Sequence, residues 1–262
     1  MTQPAGPGDT VSLSHSDVAV GSEAGSSADS ASDSASDLLS DSLFGVEEFR
    51  VLATRHALVR KVNHPTLVLG STQRADIVDA QRASELGVEV VRRRGGGGAV
   101  LLRPGDHLWI DAWIPRGDPL WEADVGVAAA WVGRWWTAAL ASFGAYECVV
   151  HEGPAVPGEH GALVCFSGKG PGEVFHHERK VTGVSQWRGK EGALLRTCAY
   201  TRWDARPLVE LLHRDGVSQE ELLRSVAGAA TGVDELHLVG AEITRLGEVL
   251  LSSFPAWGEG RS

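Results

Sequence analysis

Apolar positions fall into three kinds of run along the chain. From Phe44 the stretch FGVEEFRVLATRHALVRKV carries them at helical spacing, and HPTLVLG compresses them into a short block closed by Gly70, which predicts a helix over residues 44–62 followed by a strand. ADIVDAQRASELG again has one apolar face and ends at Gly87, suited to the turn that closes a helix; VEVVRR, AVLLR and HLWIDAWI then read as strands. Asp124 is positioned to cap a helix running to Ser142, in which Ala128, Trp131, Val132, Trp135 and Ala139 share one face. That spacing marks these tryptophans as core. A nucleic-acid stacking platform would instead interleave aromatics with Lys and Arg.

After Tyr146 the runs shorten. YECVV, ALVCF, GEVF, KVTGVSQW and GALLRTCAY are separated by Gly, Pro or charged residues and predict antiparallel strands, the last two forming a hairpin across residues 188–191. Ser218 with Glu221 three residues on makes a capping box that starts a helix, and a final helix covers Glu242 to Leu251. This order lacks a regular strand-helix alternation, so the fold class is α+β: a mixed, largely antiparallel sheet flanked by helices.

Residues 1–42 break the pattern. They are rich in Ser, Asp and Ala, with too few aliphatics to offset the entropy of ordering, and are expected to form a disordered tail. The chain has 262 residues, 43% of them hydrophobic, enough for one substantial core. Its net charge of -10 argues against a nucleic-acid-coating surface. The three cysteines, Cys148, Cys165 and Cys198, are widely spaced and odd in number, which fits reduced thiols. The N-terminus has neither a basic region nor an apolar core of signal-peptide type, and no apolar run reaches membrane-spanning length, so a cytoplasmic protein without membrane contact is expected.

Three constellations carry candidate chemistry. Arg92-Arg93-Arg94 followed by Gly95 to Gly98 and Ala99 lies between two predicted strands; four glycines let backbone N–H groups approach an anion, and the arginines supply charge. It is neither a dinucleotide fingerprint nor a Walker loop, because no helix follows and no Lys-Ser/Thr closes it. Lys180 opens the strand KVTGVSQW. Strict alternation puts Lys180, Thr182, Val184 and Gln186 on one face and Val181, Gly183 and Ser185 on the other. His176 and His177, adjacent on an extended chain, are expected to point apart, so no metal site is expected from them. Cys165, at the end of ALVCF, is either a small buried hydrophobe or a nucleophile whose thiolate is favoured by nearby cations.

RRRGGGGAV, the following Pro104-Gly105-Asp106 and RKVTGVSQ together resemble the biotin/lipoate protein ligase superfamily, specifically its lipoate-protein ligase A and ligase-fold octanoyltransferase branch. The resemblance spans Leu43 to Tyr200, and HPTLVLGSTQ is similar to the family's early strand and turn. It implies a catalytic domain over residues 43–203, with 204–262 as a helical segment of the same domain. The implied activity is transfer of a lipoyl or octanoyl group to a lysine of a lipoyl carrier protein, such as a dehydrogenase E2 subunit or a glycine-cleavage H-type protein. By resemblance, Arg94, Gly96, Gly97, Gly98 and Ala99 line the acyl or acyl-adenylate site together with Gly183, and Lys180 stands beside the acyl carbonyl. A fixed ammonium there would stabilise the developing oxyanion, so Lys180→Ala is expected to lower turnover more than stability.

Two routes share the scaffold. A ligase uses ATP with Mg to make acyl-AMP from the free acid; an octanoyltransferase needs no cofactor and takes its acyl group from acyl carrier protein through a cysteine thioester. Cys165 lies eight residues before Glu173, which resembles the spacing in the thioester enzymes and points to a Cys165–Lys180 dyad. The chain also departs from the family pattern: Gly95 replaces a serine, and Arg196-Thr197-Cys198-Ala199 replaces a His-Gly-Thr/Ser run. Alternatives are a non-catalytic lipoate or carrier-protein binding protein, a subunit that works only with a second chain, and a biotin-protein ligase, whose GRGRxGR-type loop RRRGGGG does not reproduce.

Overall fold

The computed structural model describes residues 44–213, 216–240 and 242–255. The expected tail over 1–42 lies outside them. In chain order the elements are helix α1 (Glu47–Arg50), strands β1 (His56–Arg60) and β2 (Thr66–Leu69), helix α2 (Ala80–Glu85), strands β3 (Glu89–Arg92), β4 (Val100–Leu102) and β5 (His107–Pro115), helix α3 (Val125–Ala141), strands β6 (Cys148–Val150), β7 (Val174–His176), β8 (Arg179–Arg188) and β9 (Gly192–Tyr200), and helices α4 (Arg206–Val209), α5 (Gln219–Ala227) and α6 (Ile243–Ser252).

Strands β5 and β9 are buried on both faces, which is why their sequences run almost continuously apolar. They form the centre of a six-stranded sheet ordered β1-β5-β9-β8-β7-β6, antiparallel at every pairing. A smaller sheet, ordered β3-β2-β4, pairs β2 with β3 in parallel and with β4 antiparallel. The α+β class with a mixed, largely antiparallel arrangement is therefore the observed one.

Alternation along the strands stacks the layers. Val132, Trp136 and Leu140 of α3 and Leu246 and Leu250 of α6 cover Ile110, Val181 and Leu195 on one face of the large sheet. On its other face Trp109, Cys198 and Tyr200 meet Phe166 and the small-sheet residues Val68, Val100 and Leu102. Their neighbours Leu67, Leu69 and Leu101 point the opposite way, as period-2 geometry requires, into a cluster with Leu208 of α4, Leu222 and Val226 of α5, and Leu212 between those helices. The layer between the two sheets is where the candidate residues collect.

Helix ends follow the sequence signals. The Asp124 carboxylate accepts hydrogen bonds from the Gly126 and Val127 amides at 2.8 and 2.9 Å, a cap that stabilises α3 by about 1 kcal/mol. Ser218 accepts from the Glu221 amide at 3.2 Å, and Gly87 takes the left-handed φ of +62° just past α2. Among the described residues no helix is long and apolar enough to cross a membrane.

Three expectations need correction. The helix over 44–62 is limited to the four residues of α1; beyond it, Ala57 to Arg60 pair with Trp109 to Ala112, and this tertiary pairing overrides the local period. ALVCF is not a strand: Val164 makes a single parallel bridge to Ala99, and Cys165–Ser167 is a 3₁₀ turn. Finally, His176 and His177 do not diverge. His177 adopts φ +52°, turning its ring back to 4.2 Å from that of His176.

Candidate active site

The glycine loop leaves the end of β3 and folds back over β2. Arg93 turns inward and is 1% exposed; its guanidinium donates to the carbonyls of Val68 (3.3 Å), Gly96 (2.7 Å) and Gly98 (2.9 Å). These bonds hold the loop in its curve. Gly97 sits at φ +97°, and a Cβ there would stand 2.9 Å from the Arg93 guanidinium. Gly98 is pressed against the segment before Cys165, with room for no side chain: a Cβ would lie 2.5 Å from the Cys165 nitrogen. Ala99 completes the seam, donating to Leu163 O at 2.8 Å and accepting from the Cys165 amide at 3.1 Å. Arg94 and Gly96 lie on the exposed side of the loop.

Cys165 is thereby fixed against the loop, and its thiol is half-buried. Its Sγ is 3.7 Å from where a Cβ would stand on Gly97 and equally 3.7 Å from that on Gly183, so the sulfur is flanked by two glycines on two different elements. Burial lowers the Arg93 guanidinium below the ordinary arginine value, and attraction to the neighbouring Cys165 thiol opposes that shift. The other two thiols lie deeper. Burial pushes Cys148 up to about 11 and Cys198 well above the ordinary thiol range, leaving both protonated at neutral pH.

Lys180 is 1% exposed and its Nζ donates to the Cys165 carbonyl at 2.8 Å. The same Nζ lies 2.7 Å from the Glu173 carboxylate, which also accepts from the Gly170 amide at 2.6 Å. Burial raises the Glu173 carboxyl, while the Lys180 charge and hydrogen bonds from Lys180 and Gly170 pull it back down. Aromatic rings enclose the ammonium, Phe166 at 5.6 Å and Phe175 at 6.0 Å from their centroids. The Lys180 backbone is tied as well, its N–H donating to Ala229 O at 3.0 Å and its C=O accepting from Thr231 at 2.9 Å.

Strict alternation would put Lys180 and Gly183 on opposite faces, yet both face Cys165 and Phe166. The cause is a register shift: Val174 pairs with Thr182 but Phe175 with Lys180, so Val181 is an extra residue on β8. Val181 turns instead into the helix-covered core. The bulge brings the candidate lysine and the candidate glycine to one wall.

Sequence reasoning singled out Lys180, Cys165, the glycine loop and Gly183, and the fold gathers Lys180, Cys165, Gly97, Gly98, Ala99 and Gly183 between the sheets. It missed the inward role of Arg93, one residue from the Arg94 it chose, and the pairing of Glu173 with Lys180. It also left Arg196 without a role. That guanidinium is buried beside the same narrow cavity as Arg93, Trp109 and Cys165 and lies 3.3 Å from Asp111, whose carboxylate also accepts from Trp109 at 2.8 Å and pairs with Arg60 at 2.9 Å. The signal for it was a charged residue in an otherwise apolar strand.

The profile of the lipoyl protein ligase A/B catalytic domain matches residues 46–254. Among solved structures, the chain is similar to a bi-partite lipoate protein ligase studied with its E2 lipoyl domain from Thermoplasma acidophilum, with a TM-score of 0.61 at 17% identity over 80% of this chain and 74% of that one. A T. acidophilum protein with bound lipoic acid matches with a TM-score of 0.59 at 18% identity, over 80% of this chain and 76% of that one. A lipoate-protein ligase A bound with ATP also gives 0.59 at 18% identity, over 79% and 73%. No curated protein sequence matches. With the family profile spanning nearly all the described residues and the fold agreeing, the chain belongs to the lipoyl protein ligase A/B catalytic domain family.

Proposed function

We propose that this chain transfers an octanoyl or lipoyl group to the lysine ε-amine of a lipoyl carrier domain through a thioester on Cys165. The observation that carries this reading is the setting of Cys165: a half-buried sulfur flanked by Gly97 and Gly183, next to the Arg93 guanidinium, with its own carbonyl held by Lys180. The two glycines leave open the approach to the sulfur that a side chain would block, as a nucleophile requires.

In the first half-reaction the Cys165 thiolate attacks the acyl thioester of an acyl carrier protein, forming the Cys165 thioester and releasing the carrier thiol. In the second, the carrier-domain amine attacks that thioester, forms the amide, and returns the sulfur as a thiol. Both steps pass through an oxyanion, which Lys180 and the loop amides would stabilise. Gly98 and Ala99 seat the cysteine rather than touch the acyl group. Similarity to a ligase studied with its E2 lipoyl domain supports a carrier domain of that type as acceptor.

A second reading, in which ATP and the free acid give acyl-AMP and pyrophosphate before transfer, is favoured by similarity to a ligase bound with ATP. Magnesium would accompany that nucleotide. Intact mass spectrometry of the full chain and a lipoyl domain separates the two. Octanoyl carrier protein without ATP should give a hydroxylamine-sensitive adduct on Cys165 and then an acylated domain. Acylation only with lipoate and ATP, undiminished in Cys165→Ser, overturns the thioester route in favour of the ligase.

A further inference from the structure

At the corner where β6, β7 and β8 meet, three side chains converge that acyl transfer does not use. The Glu147 Oε2 lies 3.3 Å from His176 Nε2 and 3.5 Å from His177 Nε2. One ligand atom from each residue can be chosen so that all three fall within 4.8 Å of one another. We propose that Glu147, His176 and His177 form a zinc-binding site.

The geometry fits that ion. Two ligands each bonded at about 2.0–2.1 Å to a tetrahedral zinc stand roughly 3.3–3.4 Å apart, close to the 3.3 and 3.5 Å that separate the carboxylate oxygen from the two imidazole nitrogens. Two imidazoles with one carboxylate suit a borderline ion such as Zn²⁺; Mg²⁺ and Ca²⁺ prefer an all-oxygen shell. The backbone prepares the arrangement. His177 occupies the left-handed region at φ +52°, uncommon for a residue other than glycine, and this conformation folds its ring alongside that of His176 instead of across the strand.

Burial is graded across the cluster. The His176 side chain is 24% exposed, with its Cα opposite Cys148 in the ladder, whereas His177 and Glu147 are 69% and 70% exposed. An ion is thus held from the protein side and open to water on the other, with a fourth position for a water molecule. Cys148 packs into the helix-covered core and is not one of the three converging side chains. Loading would tie the residue before β6 to the tip of the β7–β8 hairpin, three residues from Lys180. The site is separate from the reacting centre and independent of which acyl route operates.

The test uses the full chain without a histidine tag, stripped with chelator and titrated with zinc chloride by calorimetry, with bound metal counted after dialysis. The wild type should hold one zinc per chain and unfold at higher temperature when loaded. Glu147→Gln and His177→Asn, the latter chosen because asparagine tolerates the left-handed conformation, should each weaken binding by about tenfold or more. Cys165→Ser should bind zinc as the wild type does. Zinc retained at full strength by both Glu147→Gln and His177→Asn would place it elsewhere, and loss in Cys165→Ser would assign it to that thiol; either overturns the proposal. A wild type that binds none overturns it as well.

Discussion

The Lys180 Nζ and the Glu173 carboxylate meet at 2.7 Å with both side chains almost wholly buried. Among the described residues neither side chain forms an ion pair with a second charge, so each holds the other in place. Removing one leaves the other desolvated and unpaired.

Lys180→Met should therefore destabilise the protein by about 3–5 kcal/mol as well as abolish transfer. The expected loss of turnover thus comes with a stability cost of its own. Glu173, already raised by burial, would rise further without its partner. A carboxyl whose value is raised on folding contributes stability below its unfolded value of about 4.3 and loses it as pH climbs through the folded value, so the variant should be more stable at pH 5 than at pH 8. The double variant Lys180→Met/Glu173→Gln should regain most of the stability and none of the activity. Denaturant unfolding at the two pH values checks this; a single variant as stable as the wild type at pH 8 removes the pair from the account.

Gly98 and Gly96 are neighbours in one motif with opposite tolerances. A Cβ on Gly98 would meet the Cys165 nitrogen at 2.5 Å and Val164 backbone atoms at 2.6 and 2.8 Å, whereas one on Gly96 would meet nothing within 4 Å. Gly98→Ala should cost about 1–3 kcal/mol and displace Cys165, lowering kcat/KM by roughly a hundredfold. Gly96→Ala should be close to neutral in stability. Equal effects on the melting temperature from the two substitutions would show that the seam between Ala99 and Val164 does not fix the cysteine.

The three thiols should separate cleanly by reactivity. At pH 8 in the folded protein a disulfide reagent should label Cys165 alone, because Cys148 and Cys198 are buried with their thiols raised. All three should react in denaturant, and Cys165→Ser should leave none in the native state. The raised Cys148 value also gives an alkaline signature. Its contribution to stability is complete below the unfolded thiol value of about 8.5 and disappears as pH rises towards about 11, so stability should decline across that window. Cys148→Ala should flatten part of the decline; prompt labelling of Cys148 in the native protein at pH 8 would contradict its burial.

Much of this arrangement was legible in the sequence because the informative signals were local. Four consecutive glycines after three arginines, a capping aspartate before Val125 and a lysine opening an apolar strand each carry their meaning within a few residues. What escaped was set by distant partners. The segment from Ala57 reads as helical until β5 claims it as an edge strand. The choice of Arg94 over Arg93 turned on which side of the loop faces β2, and no spacing in the loop encodes that. The bulge at Val181 is invisible to a period-2 reading because one additional residue exchanges the faces for everything beyond it. His177 escaped for a related reason: its backbone leaves the extended region that the argument for divergent rings assumed.

The backbone of Lys180 is stitched to Ala229 and Thr231, far along the chain. The strand that carries the lysine is thus completed by a strip that leaves the ribosome well after the glycine loop, the cysteine and the lysine. A polypeptide released after Tyr200 would carry the glycine loop, the cysteine and the lysine and still present an open seam beside the lysine strand. The lysine is thus held from two directions in the chain, and its position depends on a segment that the motifs around it do not contain.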